Sequence, residues 1–231
     1  MPYNLSTMQS IFCNNKEITE IRYNGSLVYS KSEPVGPYQI LYTSTDNQII
    51  TPYTTSGLNI IEHTFSNNVG KITLSDQTPV LPSRFWQNRT TLRTIKYGAN
   101  LTFHLDGYQH NGCTALESAE LPANLTTIVQ RLFRENPLLT LVNIPATVNT
   151  IYTEWPFFHT NLQNGTYIGS VLIFHNPTPP AFATMSDQNG HPFSPTWPNT
   201  IINTVYVPSS SLMYYRNTQY FSDIPNVMPI Q

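Results

Sequence analysis

Six histidines, two cysteines and thirteen carboxylates carry the metal-binding and nucleophilic chemistry available to this 231-residue chain. The histidines stand at 63, 104, 110, 159, 175 and 191, and none shows the H-E-x-x-H spacing that puts two imidazoles on one helix face. The densest group is His104, Asp106, His110 and Cys113. A metal or Cys/His site is conceivable there, but a polar inter-strand loop accounts for the group far better. Glu117 and Glu120 are two nearby carboxylates, but Arg93 stands as far before the first as Lys96 does before the second. Solvated ion pairs account for that matched spacing better than a general acid and base. Cys13 and Cys113 permit a single pairing and form no C-x-x-C, and no G-x-S-x-G, P-loop or dinucleotide fingerprint occurs. The expectation is a protein without catalytic residues, metal or cofactor.

Composition narrows the classes further. Eleven basic and 13 acidic residues leave a net charge of -2, and charged residues are 10% of the chain. That excludes a protein that grips nucleic acid by neutralising phosphates. Asn, Thr and Ser number 23, 29 and 18, so the polar surface is built from uncharged groups. With 39% hydrophobic and 12% aromatic residues the chain has the material for a core and is not intrinsically disordered. Apolar runs such as Val171 to Phe174 are far shorter than the roughly 18 residues of a membrane span. The start, Met1 to Ser6, lacks the basic and apolar regions of a secretory leader, so neither membrane insertion nor secretion is expected.

The elements that would position these groups announce themselves by repetition. The pattern L-x-x-L-x-L recurs at Val69, Ile72, Leu74; Leu92, Ile95, Tyr97; Leu116, Ala119, Leu121; and Leu139, Val142, Ile144. The copies are nearly evenly spaced, and their period lies in the leucine-rich-repeat range. Leu121-Pro122-Ala123-Asn124-Leu125-Thr126-Thr127-Ile128 is echoed by Ile144-Pro145-Ala146-Thr147-Val148-Asn149-Thr150-Ile151. One short strand cannot bury its own apolar edge, so successive copies must stack into a parallel sheet, giving an α/β, β-rich solenoid. Pro122 and Pro145, which lack an N–H, should end their strands. Two outward columns are predicted, Arg93, Glu117, Thr140 and Thr73, Lys96, Glu120, Asn143, each placing a base one rung from an acid.

Around the regular repeats, at 69–151, the chain reads as follows. Residues 38–68, with apolar stretches about an Asp46-Asn47 turn, form a cap over the first open rung. Residues 152–200 break the period and are rich in Pro, Asn and aromatics, an irregular expanded turn. Residues 201–231 supply a terminal strand at 203–208 and a helix over 209–220 capped by Ser209 or Ser210. Residues 1–37 form a separate module: Glu17 to Tyr23 and Ser26 to Tyr29 alternate across Asn24-Gly25, a β-hairpin signal, and Ser30 to Pro37 is a linker.

The Tyr42 to Tyr53 lead-in, the units Leu116 to Pro122 and Leu139 to Pro145, Pro177-Thr178-Pro179-Pro180, and the ending Val205 to Pro208 through Tyr214-Tyr215 resemble the BspA-like leucine-rich repeat family of gut bacteria and their phages. The family's Ala-Phe before a consensus Cys is replaced by Phe85-Trp86, Tyr108-Gln109 and Leu132-Phe133, and only Cys113 keeps the Cys. The resemblance implies adhesion or other protein interaction rather than catalysis. Lys16 to Tyr29 is similar to the short attachment hairpin of phage tail and minor structural proteins.

Together these readings predict a phage virion component, tail-associated and oligomeric. Its N-terminal module would dock on other virion proteins through Ile18, Ile21, Tyr23, Leu27 and Tyr29. The repeats would present Arg93, Thr94, Lys96, Glu117, Ser118, Glu120, Thr140, Leu141 and Asn143 to a host surface protein or glycan. Trp155 and Trp197 in the aromatic segment either join that surface or fill the gap left by the broken repeat. A bacterial cell-surface adhesin is the alternative localisation, and a glycan-directed enzyme the third reading.

Overall fold

The structure is a computed structural model. It describes residues 34–75, 80–160, 170–183, 192, 193, 202 and 204–230, and the backbone of the strands at 11–13, 16–18, 20–23, 26–30, 162–163 and 166–167. The chain divides into two units, Met1–Pro34 and Val35–Gln231. In the first, β1 (Ile11–Cys13) pairs antiparallel with β2 (Lys16–Ile18), and β3 (Glu20–Tyr23) with β4 (Ser26–Ser30). The Asn24-Gly25 turn and the side chains of Ile18, Ile21, Tyr23, Leu27 and Tyr29 lie outside the described residues.

The second unit opens with β5 (Gln39–Ser44), β6 (Ile60–Ser66) and β7 (Val69–Leu74), each antiparallel to its neighbour in the order β5-β7-β6. Val69–Leu74 is not the first rung of the parallel stack, because β5 is inserted, antiparallel, between it and Leu92–Tyr97. Strict alternation is the cause: Gly70, Ile72 and Leu74 face the core while Val69 does not, a strand period of two rather than the three-then-two spacing of a repeat. Gly70 is required by close approach, since a Cβ there would fall on the ring of Tyr42.

The repeats follow as β8 (Val80–Leu81), β9 (Leu92–Tyr97), β10 (Thr102–Phe103), β11 (Ser118–Glu120), β12 (Thr127–Ile128), β13 (Leu141–Ile144) and β14 (Thr150–Tyr152). Ile95, Ala119 and Val142 are direct register partners in parallel strands, all buried, and Leu92, Leu116 and Leu139 are buried beside them. Burying a Leu, Ile or Val side chain is worth about 1.5–3 kcal/mol, which only stacking can supply here. Past each strand the chain turns at a proline: Leu125 N–H donates to the Pro122 carbonyl and Val148 N–H to that of Pro145, at 3.0 and 3.1 Å. The short strands β12 and β14 that follow these turns pair parallel, as do β8 and β10 earlier in the chain.

Beyond β15 (Leu162–Gln163) and β16 (Thr166–Tyr167), an antiparallel pair, the stack resumes with β17 (Val171–Phe174), β18 (Ala181–Ala183), β19 (Thr204–Val207), the helix α1 (Leu212–Arg216) and β20 (Asn226–Pro229). Val142, Leu172, Val205 and Val227 continue the buried row. Its spacing along the chain is nearly constant from Ile95 through Ala119 to Val142, lengthens to Leu172 and again to Val205, and shortens to its earlier size at Val227. Segment 152–200 is therefore not one irregular turn: it holds the strand Val171–Phe174, in register with the strands on both sides. The helix expected over 209–220 contracts to a 3-10 turn at Ser209–Ser211 and five α-helical residues. No side-chain hydrogen bond caps the start of either piece, and Ser209 donates instead to the Ile230 carbonyl and Ser211 to that of Pro177. Among the described residues this is the one α-helix of a strand-rich fold, and no helix is long and apolar enough to cross a membrane.

Candidate functional site

Two surfaces emerge from this winding, one on the sheet and one across the core from it. On the sheet, strand register fixes the outward columns. Thr94, Ser118, Leu141 and Val171 are consecutive partners, as are Lys96, Glu120, Asn143 and Ile173. Arg93 Nε lies 3.0 Å from Glu117 Oε2 and Lys96 Nζ 3.0 Å from Glu120 Oε2, so both anticipated ion pairs are formed, at half-exposed positions. Thr140 is exposed beside them, and its carbonyl receives the Val171 N–H at 2.9 Å. Thr73 does not belong to the second column. It pairs with Gln39, and Leu41 occupies the rung between Lys71 and Lys96. Lys71 Nζ in turn sits 3.0 Å from Glu62, and its hydrogen bond holds that carboxyl below the usual carboxylate range.

Towards the C-terminal end the face changes character. Leu141 is 41% exposed and Met228 42%, and the half-buried Val171, Ile173 and Tyr206 lie between them. Sequence reading missed all of these except Leu141. The signal was present in Val171-Leu172-Ile173-Phe174, whose alternate residues must face outward once it is placed as a strand.

The tips of the turns build the opposite surface. Arg84, Tyr108, Arg131 and Trp155 all have positive φ, between 50° and 66°, and Asn88, Gly112, Glu135 and His159, four residues further on, are positive too, between 56° and 74°. Within each such arc alternate N–H groups donate to the next arc: Arg84 to Gly107, Trp86 to Gln109, Asn88 to Asn111, then Tyr108 to Gln130, His110 to Leu132 and Gly112 to Arg134. The ladder shows that Phe85-Trp86 corresponds to Gln109-His110, one residue later than the Tyr108-Gln109 expected. Inside the arcs His110, Phe133, Phe157 and Phe193 form a stacked column with ring centroids 4.9, 6.2 and 6.5 Å apart. Outside, the Arg84 guanidinium lies 5.2 Å from the Tyr108 ring centroid, and Arg131 lies 4.8 Å from Tyr108 and 5.4 Å from Trp155. Trp155 thus belongs to a cation–aromatic ladder on the turn side and not to the sheet face. Trp197 lies outside the described residues.

The His104, Asp106, His110 and Cys113 group does not converge. His104 Nδ1 is 3.5 Å from Asp106 Oδ2 at the exposed surface. His110 is buried against Tyr97 and Cys113 donates its thiol to the Trp86 carbonyl at 2.9 Å. Burial pushes the Cys113 thiol up to about 12, the reverse of what a nucleophile or thiolate ligand needs, and His110 down to about 3, too weak a base to activate it. One turn later Asn136 Nδ2 donates to the His110 carbonyl at 2.9 Å, doing for that rung what Cys113 does for its own. No group of three or more His, Cys, Asp or Glu that could hold a metal occurs among the described residues.

The family model for the BspA type leucine-rich repeat region matches residues 38–176 in six copies. No curated protein matches the chain significantly.

Proposed function

The chain belongs to the BspA-type leucine-rich repeat family, and from that membership we propose that it is a non-enzymatic phage virion protein, tail-associated, whose repeats coil as a solenoid and adhere to a host surface protein or glycan. The observation that carries this reading is the sheet's outward face. Short parallel strands hold its side chains in fixed columns, so the ion pairs at one end and Leu141, Ile173, Tyr206 and Met228 at the other form a preorganised contact surface with little ordering cost on binding. Rim charges steer and register a partner, and the apolar end supplies the buried area. Residues 1–37 would attach the chain to other virion proteins, and symmetric copies would add avidity.

Two measurements test it. Mass spectrometry of purified particles of the encoding phage should find the chain, and its absence there defeats the virion assignment. Full-length protein should bind host cells, and Leu141→Asp with Met228→Asp should weaken that binding by about tenfold or more, both side chains being exposed. Undiminished binding would remove the sheet face from the proposal. Recovery from the envelope of a bacterium encoding it would favour the surface-adhesin reading instead.

A further inference from the structure

A cleft of about 560 Å³ opens where the cap lead-in meets the first three turn arcs, lined by Tyr53, Thr54, Ser83, Arg84, Asp106 and Gln130 among others. We infer that this cleft is a binding site for an uncharged pyranose sugar, with Tyr53 as the stacking platform and Arg84, Asp106 and Gln130 contacting hydroxyls. It lies across the core from the sheet face and stands independently of the function proposed above.

The size falls within the range of small-ligand sites, and the lining selects the class. Tyr53 is 52% exposed and has a single guanidinium, that of Arg89, against its ring. Tyr108, the other ring in the wall, already has Arg84 and Arg131 guanidiniums against it. A pyranose has a C–H face that packs on such a ring and a rim of hydroxyls that each donate and accept. The polar lining answers both roles: the Arg84 guanidinium only donates, the Asp106 carboxylate only accepts, and the Gln130 amide and Thr54 hydroxyl do either. The lining side chains include one cation and one anion, while the Arg89 and Arg131 guanidiniums are held against the two rings, so a neutral polyol is matched by donors and acceptors and an anionic sugar gauges the pull of those rim cations.

The site is also built rather than incidental. Tyr53 N–H donates to the Phe85 carbonyl at 2.7 Å, tying the platform to the first arc. Arg89 Nε donates to the Thr51 carbonyl at 2.7 Å and its guanidinium lies 5.6 Å from the Tyr53 ring centroid, fixing the ring's tilt. Ser83 Oγ donates to the Gly107 carbonyl at 3.0 Å and Gln130 Nε2 to the Asp106 carbonyl at 3.1 Å, bracing the floor. Such restraint lowers the entropy lost when a weak ligand binds.

The test is saturation-transfer NMR on the full chain with the methyl glycosides of glucose, galactose, mannose and N-acetylglucosamine, and with methyl sialoside as the anionic comparison. At least one neutral glycoside should give transfer, weakened about tenfold or more in Tyr53→Ala and in Asp106→Ala, and kept in Tyr53→Phe and in Glu117→Gln on the sheet face. Both cleft residues are exposed, and equal thermal midpoints will show that the variants fold. No transfer from any neutral glycoside, transfer undiminished in both Ala variants, or transfer from the sialoside alone would each overturn the inference.

Discussion

The Tyr97 hydroxyl lies 2.7 Å from Nε2 of His110 in the middle of the core, where the neighbouring turns carry Trp86, Phe133 and Phe157. The imidazole takes a position otherwise given to a large apolar ring, and burial lowers its pKa from 6.5 to about 3. Between those values the unfolded chain binds a proton that the folded chain refuses, so stability is full above about pH 6.5 and falls as the pH drops towards 3. At pH 4.5 this one residue should cost about 2–3 kcal/mol relative to pH 7. Urea unfolding at the two pH values checks this. The double variant Tyr97→Phe with His110→Phe removes both polar partners and should lose that part of the acid sensitivity, whereas His110→Phe alone strands the Tyr97 hydroxyl and should destabilise at every pH.

The strand positions of the middle repeats could be read from the chain because L-x-x-L-x-L is a constraint on three side chains at once, and Leu92 to Ile144 satisfied it. Val69, Ile72 and Leu74 match the same pattern, yet strand pairing to β5 is non-local and leaves no trace in the spacing. Val171–Phe174 was hidden for the opposite reason, since the greater number of residues on either side of it carries the strand out of period while its register is kept. The outward ion pairs were legible because side chains alternate in a strand. The Arg84, Tyr108, Arg131 and Trp155 ladder was not: its members share a left-handed backbone, which Gly or Asn would have signalled and which Arg, Tyr and Trp conceal.

Arg93→Ala and Lys96→Ala should each change stability by less than about 1 kcal/mol, because Arg93–Glu117 and Lys96–Glu120 are solvated pairs. Raising the salt concentration should shrink even that difference. A loss several times larger in chemical unfolding would mean that these pairs hold the strand register rather than decorate it.

Cys113 should be inert in the native protein. Its thiol is buried, donates to the Trp86 carbonyl and has a pKa pushed up to about 12, so the thiolate is scarce and inaccessible at neutral pH. An Ellman assay on a Cys13→Ser background should show no native reaction over minutes and one thiol in urea. Rapid native labelling would place Cys113 at the surface and undo the arc geometry around it.

Gly107→Ala should destabilise by about 2–4 kcal/mol, combining a left-handed φ of 71° with a Cβ that would strike the Gln130 carbonyl of the next arc. Gly57, also left-handed but with open space around its Cβ position, is the internal comparison. Gly57→Ala should cost only the conformational part, about 1–2 kcal/mol. Equal losses at the two sites in urea melts would show that the arcs are not packed at backbone contact.

Arg131 stands between Tyr108 and Trp155, and its charge is kept there at some expense. Burial lowers its pKa, the neighbouring Arg134 charge acts in the same direction, and Glu154 opposes them. A guanidinium tolerates this because it is weakly hydrated and flat enough to lie on a ring on either side, which an ammonium cannot do. Arg131→Lys should therefore destabilise although it keeps the charge. A double-mutant cycle of Arg131→Met with Tyr108→Leu should return a coupling of about 0.5–1 kcal/mol, and the cycle with Trp155→Leu a similar value. If Arg131→Lys is neutral and both couplings vanish, the ladder is mere proximity, and the arcs owe their stacking to the aromatic column inside them and to their backbone hydrogen bonds.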